Sequence, residues 1–321
     1  MNIKKVVVCG GGVLGSQIAF QSQFSGFDTT IWLRSEGSIG RTKPKLIHVK
    51  ENYMKTIEKM NETHTPMDFA RGIADSYENF DYEKSLEKVK EAYENLKIEL
   101  DMEKAVEDAD IVIEAMSEDL NAKIEFYKKL APFLPEKTIL CTNSSSLLPS
   151  SFMEYTGRPE KFLALHFANE IHKHNTAEVM MTSKTDPEVF DAVVQFARDI
   201  KMIPLQLKKE QPGYLLNSML IPFLFAGFDL YVNGISTPND IDAAWKYGTG
   251  AIKGPFEIFD IVGLKTAYEI VNALAVRFGE SGPYNYKGQA QILAQKIEEG
   301  KIGLMAGEGF YKYDKEGNKI N

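Results

Sequence analysis

The chain sets short apolar runs between longer stretches of helical spacing. The first run, KVVVC, ends at Cys9 and has the unbroken β-branched character of a strand covered on both faces. A glycine cluster follows, then the helical pattern SQIAFQSQFSG closed by Gly26, and a second strand is predicted from Thr29 to Leu33. From about Gly37 to Glu99 the residues are highly charged and helically spaced, as in YEKSLEKVKEAYENLKIEL, which predicts a solvated helical excursion. Strand character returns in the segment Ala109 to Ala115, followed by the helical NAKIEFYKKLAPFL and the strand-like KTILCTN. Two further apolar runs span Phe162 to Phe167 and Ile203 to Leu207. Pro212-Gly213 then punctuates the chain, and the remainder is helical in pattern up to the aromatic tail GFYKY.

Alternating strands and helices with short connections predict an α/β fold, a doubly wound parallel sheet of Rossmann type, with an all-α region after it. The boundary is expected near Lys209. Residues 1–209 form a dinucleotide-binding domain with a helical insertion near 37–99, and residues 210–321 form a helical substrate or dimerisation domain. Gly10-Gly11-Gly12-Val13-Leu14-Gly15 lies between the first strand and the first helix, the context in which a G-x-G-x-x-G pattern binds a dinucleotide. Gly10 permits the tight turn, Gly12 admits a pyrophosphate to the backbone, and Gly15 lets helix and strand pack closely. An acid at the end of the second strand would bind the ribose hydroxyls of NAD, yet Leu33 stands there with Arg34 after it. A guanidinium in that place can meet a 2′-phosphate, so NADP is expected alongside NAD. The other reading has Arg34 on the surface and Glu36 reaching the ribose.

Hydrophobic residues make up 44% and charged residues 26% of the 321, the balance of an ordinary soluble globular protein. A formal net charge of -8 argues against nucleic acid or an anionic membrane as partner. A small-molecule substrate is expected. Lys43, Lys45, Lys50, Lys55 and Lys59 are available to phosphates of a large substrate, with nothing in their spacing selecting one. The two cysteines, Cys9 and Cys141, lie in or beside apolar runs and are expected buried and reduced. The apolar stretch Gly213 to Val232 is interrupted by Asn217, Ser218, Pro222 and Asp229, which predicts a core or interface helix of a helical domain, not a membrane span. The amino terminus lacks a signal-peptide pattern, and a cytoplasmic location is expected.

The chemistry is expected between Thr142 and Met181. His166 ends an apolar run, and Glu178 follows a loop later, so an imidazole able to accept a proton has a carboxylate to hold its tautomer. Strand ends in an open α/β sheet face one crevice, which places Glu114-Ala115 and Thr142 to Ser145 beside the glycine loop. The intervening loop, Ala168 to Asn175, is polar. It either lines the substrate side, suiting a short oxygenated substrate, or faces solvent with Glu170, Lys173, His172 and His174. His172 and His174 also have the look of metal ligands, but no third ligand accompanies them, and no metal is expected.

The stretches GGGVLGSQIA, IVIEAMSEDLNAK, TNSSSL, KFLALHFAN, QPGYLLNSMLIP, GPFEIFDIVGL and GEGFYKY run in order along nearly the whole chain. In them the chain resembles the L-3-hydroxyacyl-CoA dehydrogenase family, and its details look closest to the diketoreductase-like branch. The resemblance implies hydride transfer between a nicotinamide cofactor and a 3-hydroxyacyl or 3-oxoacyl substrate. That substrate would be a CoA thioester of short acyl chain or a free β-keto ester or diketone. The apolar helices of the second domain would pack on each other or across the two-fold interface of a homodimer. His166 would be the acid–base group, Glu178 its partner, Ser145 a hydrogen bond to the substrate oxygen, and Asn217 a substrate-orienting group. Gly10, Gly12, Val13, Leu14, Gly15, Arg34, Ala115, Glu118, Lys123 and Asn143 would contact the cofactor. Where the family follows His-Phe with Asn-Pro and an apolar segment, this chain has Ala168-Asn169-Glu170-Ile171-His172. Two other readings stay open: a dehydrogenase of a small hydroxy or sugar acid without CoA, and a non-catalytic dinucleotide-binding protein.

Overall fold

The structure is a computed structural model and describes residues 2–315 and 317–320. The chain separates into two compact units, residues 1–215 and 216–321. In the first unit the order is β1 (Lys5–Cys9), α1 (Val13–Phe24), β2 (Asp28–Trp32), α2 (Glu36–Thr63), α3 (Tyr82–Asn95), β3 (Lys97–Glu99) and α4 (Met102–Val106). Then come β4 (Ile111–Glu114), α5 (Leu120–Leu130), β5 (Ile139–Thr142), β6 (Phe162–Phe167), β7 (Thr176–Met181), α6 (Pro187–Asp199) and β8 (Ile203–Leu207). These strands form one sheet in the order β3-β2-β1-β4-β5-β6-β7-β8.

Alternate residues of the central strands feed two cores, which is why their sequences are apolar without a break. Val6 and Val8 of β1, Ile111 and Ile113 of β4, and Leu163 and Leu165 of β6 pack on one face with Ile18 of α1 and Val193 of α6. Val7, Cys9, Val112, Leu140 and Phe162 pack on the other, with Phe126 and Tyr127 of α5. Both cysteines are free and buried.

The sheet is parallel from β3 to β6, but β7 runs antiparallel to β6, and β8 is parallel to β7. This reversal departs from an all-parallel sheet, and it arises because the connection of residues 168–175 is too short for a crossover helix. The excursion is also more than a solvated helix pair. Tyr53, Ile57 and Met60 of α2 pack with Phe20 and Phe24 of α1 and Val89 and Ala92 of α3 in a core of their own, and the charges lie outside it.

The second unit contains α7 (Leu216–Val232), α8 (Pro238–Thr249), α9 (Pro255–Val262), α10 (Leu264–Phe278), α11 (Tyr286–Glu298) and the small ribbon β9 (Lys312–Tyr313) with β10 (Lys319–Ile320). Its core gathers Phe228, Phe256 and Phe259, with Phe310 against them. The Asp260 carboxylate anchors the tail by accepting from the Phe310 and Tyr311 N–H groups at 2.7 and 2.9 Å. Among the described residues no helix is long and apolar enough to cross a membrane.

Candidate active site

The carboxyl ends of β1, β4 and β5 are level with one another: Cys9 pairs with Glu114, and Glu114 with Thr142. The residues that follow them, Gly10, Ala115 and Asn143, therefore share one rim. Gly10 has φ +121°, and a Cβ there would lie 2.5 Å from the Ala115 carbonyl oxygen. A Cβ on Gly15 would meet the Gly10 oxygen at 2.1 Å, so α1 and β1 approach as closely as only glycine allows. A Cβ on Gly12 would meet nothing within 4 Å beyond its chain neighbours, and this N-cap residue offers no side chain to the first turn of α1. Open space before unsatisfied helix N–H groups suits an anion, so the loop fits the pyrophosphate of a dinucleotide. Thr42 and Lys45 of α2 hold the Gly11 carbonyl from behind at 3.2 and 3.3 Å. Leu33 is buried and Arg34 exposed; a second guanidinium, that of Arg41, donates to Ser38 at 3.0 Å in the first turns of α2.

Because Gly12 is open, Gly12→Ala is expected to cost less than about 1 kcal/mol of stability. The added methyl nonetheless occupies the anion's approach, an overpacking cost of about 1–3 kcal/mol, or roughly five- to hundredfold in NADH Kd. Fluorescence titration beside a thermal melt checks both, and an unaltered Kd removes the loop from cofactor binding.

Glu114, at the end of β4, is fully buried and fully engaged. It accepts from Lys123 Nζ at 2.6 Å, Thr142 Oγ1 at 2.7 Å, the Met116 N–H at 2.7 Å and Tyr127 Oη at 3.1 Å. Lys123, expected on the cofactor side, has its ammonium buried between Glu114 and, at 3.5 Å, Glu118. Glu118 accepts from Ser144 Oγ at 2.6 Å and from the Ser145 and Ser146 N–H groups at 2.9 and 2.7 Å. Burial opposes its charge, but these donors and the Lys123 ammonium prevail and lower the carboxyl to about 2. Glu118 thus organises the serine loop. Ser144 is buried, whereas Ser145 is exposed.

His166 and Glu178 are direct cross-strand partners in β6 and β7. Their side chains meet at 3.1 Å, His166 Nδ1 to Glu178 Oε2. A carboxylate only accepts, so the hydrogen bond puts a proton on Nδ1, and in the neutral ring Nε2 carries the lone pair. The Leu215 N–H donates to the other Glu178 oxygen at 2.8 Å. Tyr214 stacks on the imidazole at 4.4 Å between ring centroids, 14° from parallel, and its hydroxyl donates to the Ser144 carbonyl at 2.6 Å. The Phe167 N–H, next along the strand, donates to Asn143 Oδ1 at 3.0 Å. One continuous network therefore joins Glu118, the serine loop, Tyr214, His166 and Glu178, all within the first unit. Asn217 belongs to the second unit, in the first turn of α7.

A cleft of about 430 Å³ opens between α1, α2 and the segment after β6, lined by Val13, Lys45, His48, Asn52, Asn169 and Glu170 among others. His172 closes its floor. That ring is buried, lies 4.3 Å from Tyr53 and contacts Thr56 Oγ1 at 3.2 Å, while Lys173 and His174 are exposed. Among the described residues no group of three or more His, Cys, Asp or Glu is placed to hold a metal ion. Burial lowers His172 from 6.5 to about 4. Above pH 6.5 the ring is neutral in folded and unfolded chains alike. Below it the unfolded chain takes up a proton that the folded ring refuses, so stability falls as the pH falls toward 4, by about 2 kcal/mol between pH 7 and 5. Urea unfolding at the two pH values is expected to show this part of the slope disappearing in His172→Phe; an unchanged slope would exclude it.

The 3-hydroxyacyl-CoA dehydrogenase NAD binding domain matches residues 5–211, and the C-terminal domain of the same enzymes matches residues 213–313. The chain belongs to the 3-hydroxyacyl-CoA dehydrogenase family. It is thereby an NAD-dependent oxidoreductase acting on a CH–OH group, as the resemblance in its motifs implied. Within the family, the mitochondrial hydroxyacyl-coenzyme A dehydrogenase of Homo sapiens is 31% identical over 311 residues, 97% of this chain and 91% of that protein. The 3-hydroxybutyryl-CoA dehydrogenase of Clostridioides difficile is 29% identical over 97% of this chain and 100% of its own length. A solved diketoreductase structure, studied for dual catalysis of dicarbonyl compounds, is 45% identical, with TM-score 0.79 over 98% of this chain and 100% of that one.

Tyr214 was not singled out from sequence, and Glu114 was read only as a strand end facing the crevice, without its buried partners. The run QPGY carried the only hint of Tyr214, and a carboxylate ending the buried strand IVIE was the available signal for Glu114.

Proposed function

We propose that the protein interconverts a 3-oxo and a 3-hydroxy compound, with His166 as the proton donor and acceptor. The cross-strand contact of His166 with Glu178, beside the serine loop and on the sheet of the glycine turn, carries this reading. In the direction of oxidation, Nε2 takes the hydroxyl proton while Glu178 holds Nδ1–H and stabilises the imidazolium that forms. In reduction the imidazolium returns that proton to the oxygen. Ser145, exposed on the loop that Glu118 shapes, donates a hydrogen bond to the same oxygen. Asn217 orients the substrate. The nicotinamide, when bound, supplies or accepts the hydride. Gly10, Gly12, Val13, Leu14 and Gly15 hold the pyrophosphate, and Ala115, Asn143, Glu118 and Lys123 shape the ribose and nicotinamide side, the last two through the carboxylate network.

The substrate is compact and oxygenated, and a free β-keto ester or diketone is accepted at least as readily as a CoA thioester. The 45% identity to a diketoreductase supports this, with the polar Asn169 and Glu170 on the wall of the adjacent cleft. Arg34, with Arg41 in the next turns, leaves room for NADP as well as NAD. The second unit has an apolar groove of about 470 Å³ that includes Phe223, Leu230 and Trp245, a face suited to a second copy in a homodimer. Free, buried cysteines suit a reducing compartment such as the cytoplasm.

Initial rates of NADH and NADPH oxidation with acetoacetyl-CoA, a free β-keto ester and a β-diketone test the reading. Turnover of the free compounds is expected. Activity confined to the CoA thioester would overturn the substrate assignment, and binding of cofactor without turnover of any compound would make the protein a binding module.

A further inference from the structure

We propose that Tyr214 is a positioning residue for the acid–base group: its ring sets the plane of the His166 imidazole, and its hydroxyl ties that ring to the serine loop at Ser144. The inference rests on His166 being the proton-transfer group.

A hydrogen bond from Nδ1 to Glu178 fixes the tautomer but leaves the imidazole able to tilt about the Nδ1 to Oε2 line. A ring stacked 4.4 Å away and within 14° of parallel removes that tilt. With edge and face both held, Nε2 has one direction left. The hydroxyl does a second job, since its 2.6 Å bond to the Ser144 carbonyl joins the base to the loop that carries Ser145. Burial first, then the carboxylates of Glu118 and Glu178, pushes the phenol well above its ordinary range, so it stays an O–H donor.

The backbone points the same way. Tyr214 has φ +55°, directly after Gly213 at φ +78°, a left-handed conformation that a bulky side chain adopts only when its surroundings impose it. The next residue, Leu215, gives its N–H to Glu178 at 2.8 Å. Two consecutive residues therefore reach the two members of the acid–base pair, one at the imidazole face and one at the far carboxylate oxygen. An aromatic that merely filled the small core of Ala164, Met180 and Leu207 requires neither the left-handed backbone nor the hydroxyl.

The test compares Tyr214→Leu, which deletes the ring, with Tyr214→Phe, which keeps it. Each is made alone and combined with His166→Gln, and kcat, KM and the NADH Kd are measured for all. A misplaced catalytic group costs about a hundredfold, so Tyr214→Leu is expected to lower kcat ten- to hundredfold with KM and Kd nearly unchanged. Tyr214→Phe is expected to recover most of that loss. Combined with His166→Gln, the leucine substitution is expected to add no further loss, because the group it acts through is gone. An equal loss in the presence and absence of His166, or a Tyr214→Leu enzyme at full kcat, overturns the proposal. A His166→Gln enzyme with wild-type turnover instead overturns the base assignment, and the two failures are separately visible. If Tyr214→Leu loses NADH binding altogether, Tyr214→Met, which refills the volume without a ring, replaces it in the same comparison.

Discussion

His166→Gln is expected to lower kcat by roughly two to four orders of magnitude, the usual worth of a positioned acid–base group. Glutamine can still donate an amide hydrogen to Glu178, so the β6–β7 pair keeps its hydrogen bond while the proton-transfer function is lost. The glycine loop contacts α2 and the ends of β1 and β4, not this pair, and the NADH Kd is expected to stay within about threefold of wild type. Steady-state kinetics with a parallel fluorescence titration separate the two quantities. A kcat within tenfold of wild type removes His166 from the chemistry.

Lys123→Met is expected to act on stability, and strongly. Among the described residues the Lys123 ammonium is the one cation bonded to Glu114, whose carboxylate is wholly buried, and methionine leaves that charge with neutral donors from Met116, Tyr127 and Thr142. Breaking a buried pair on one side costs about 3–5 kcal/mol, because the remaining charge has been desolvated without compensation. For a unit of this size the melting temperature is expected to fall by on the order of 10 °C. Combining Lys123→Met with Glu114→Gln is expected to restore more than half of the loss, since the amide oxygen can accept from the Met116 N–H, its NH2 can donate to the Tyr127 and Thr142 hydroxyls, and no charge is stranded. A single variant that melts within about 2 °C of wild type contradicts the buried-pair account.

The parts of the fold legible in the chain were those set by local pattern. KVVVC followed by the glycine turn and a helix needs no distant information, and the strands around Ile111 and Ile139 repeat the same signal. β7 was harder to see: TAEVMM carries a carboxylate in its middle, and its reversed direction follows from how short the 168–175 connection is. The position of His166 at a strand end could be read directly, but its pairing with Glu178 depends on strand register, which sequence does not display. His172 looked like a loop histidine because Tyr53 and Thr56, which bury it, lie in a helix more than a hundred residues earlier. Tyr214 was invisible for another reason, since its contact with His166 exists only because the backbone turns left-handed at Gly213 and Tyr214.

The central claim is that the His166–Glu178 pair moves the proton that accompanies hydride transfer to a 3-oxo carbon. Single-turnover reduction of a β-diketone with NADH deuterated at the transferred position measures this most directly, by mass spectrometry of the product alcohol. Wild-type protein is expected to place one deuterium on the new carbinol carbon, and His166→Gln, saturated with the same cofactor, to place almost none over the same interval. Deuterium transfer at the wild-type rate in His166→Gln would contradict the account.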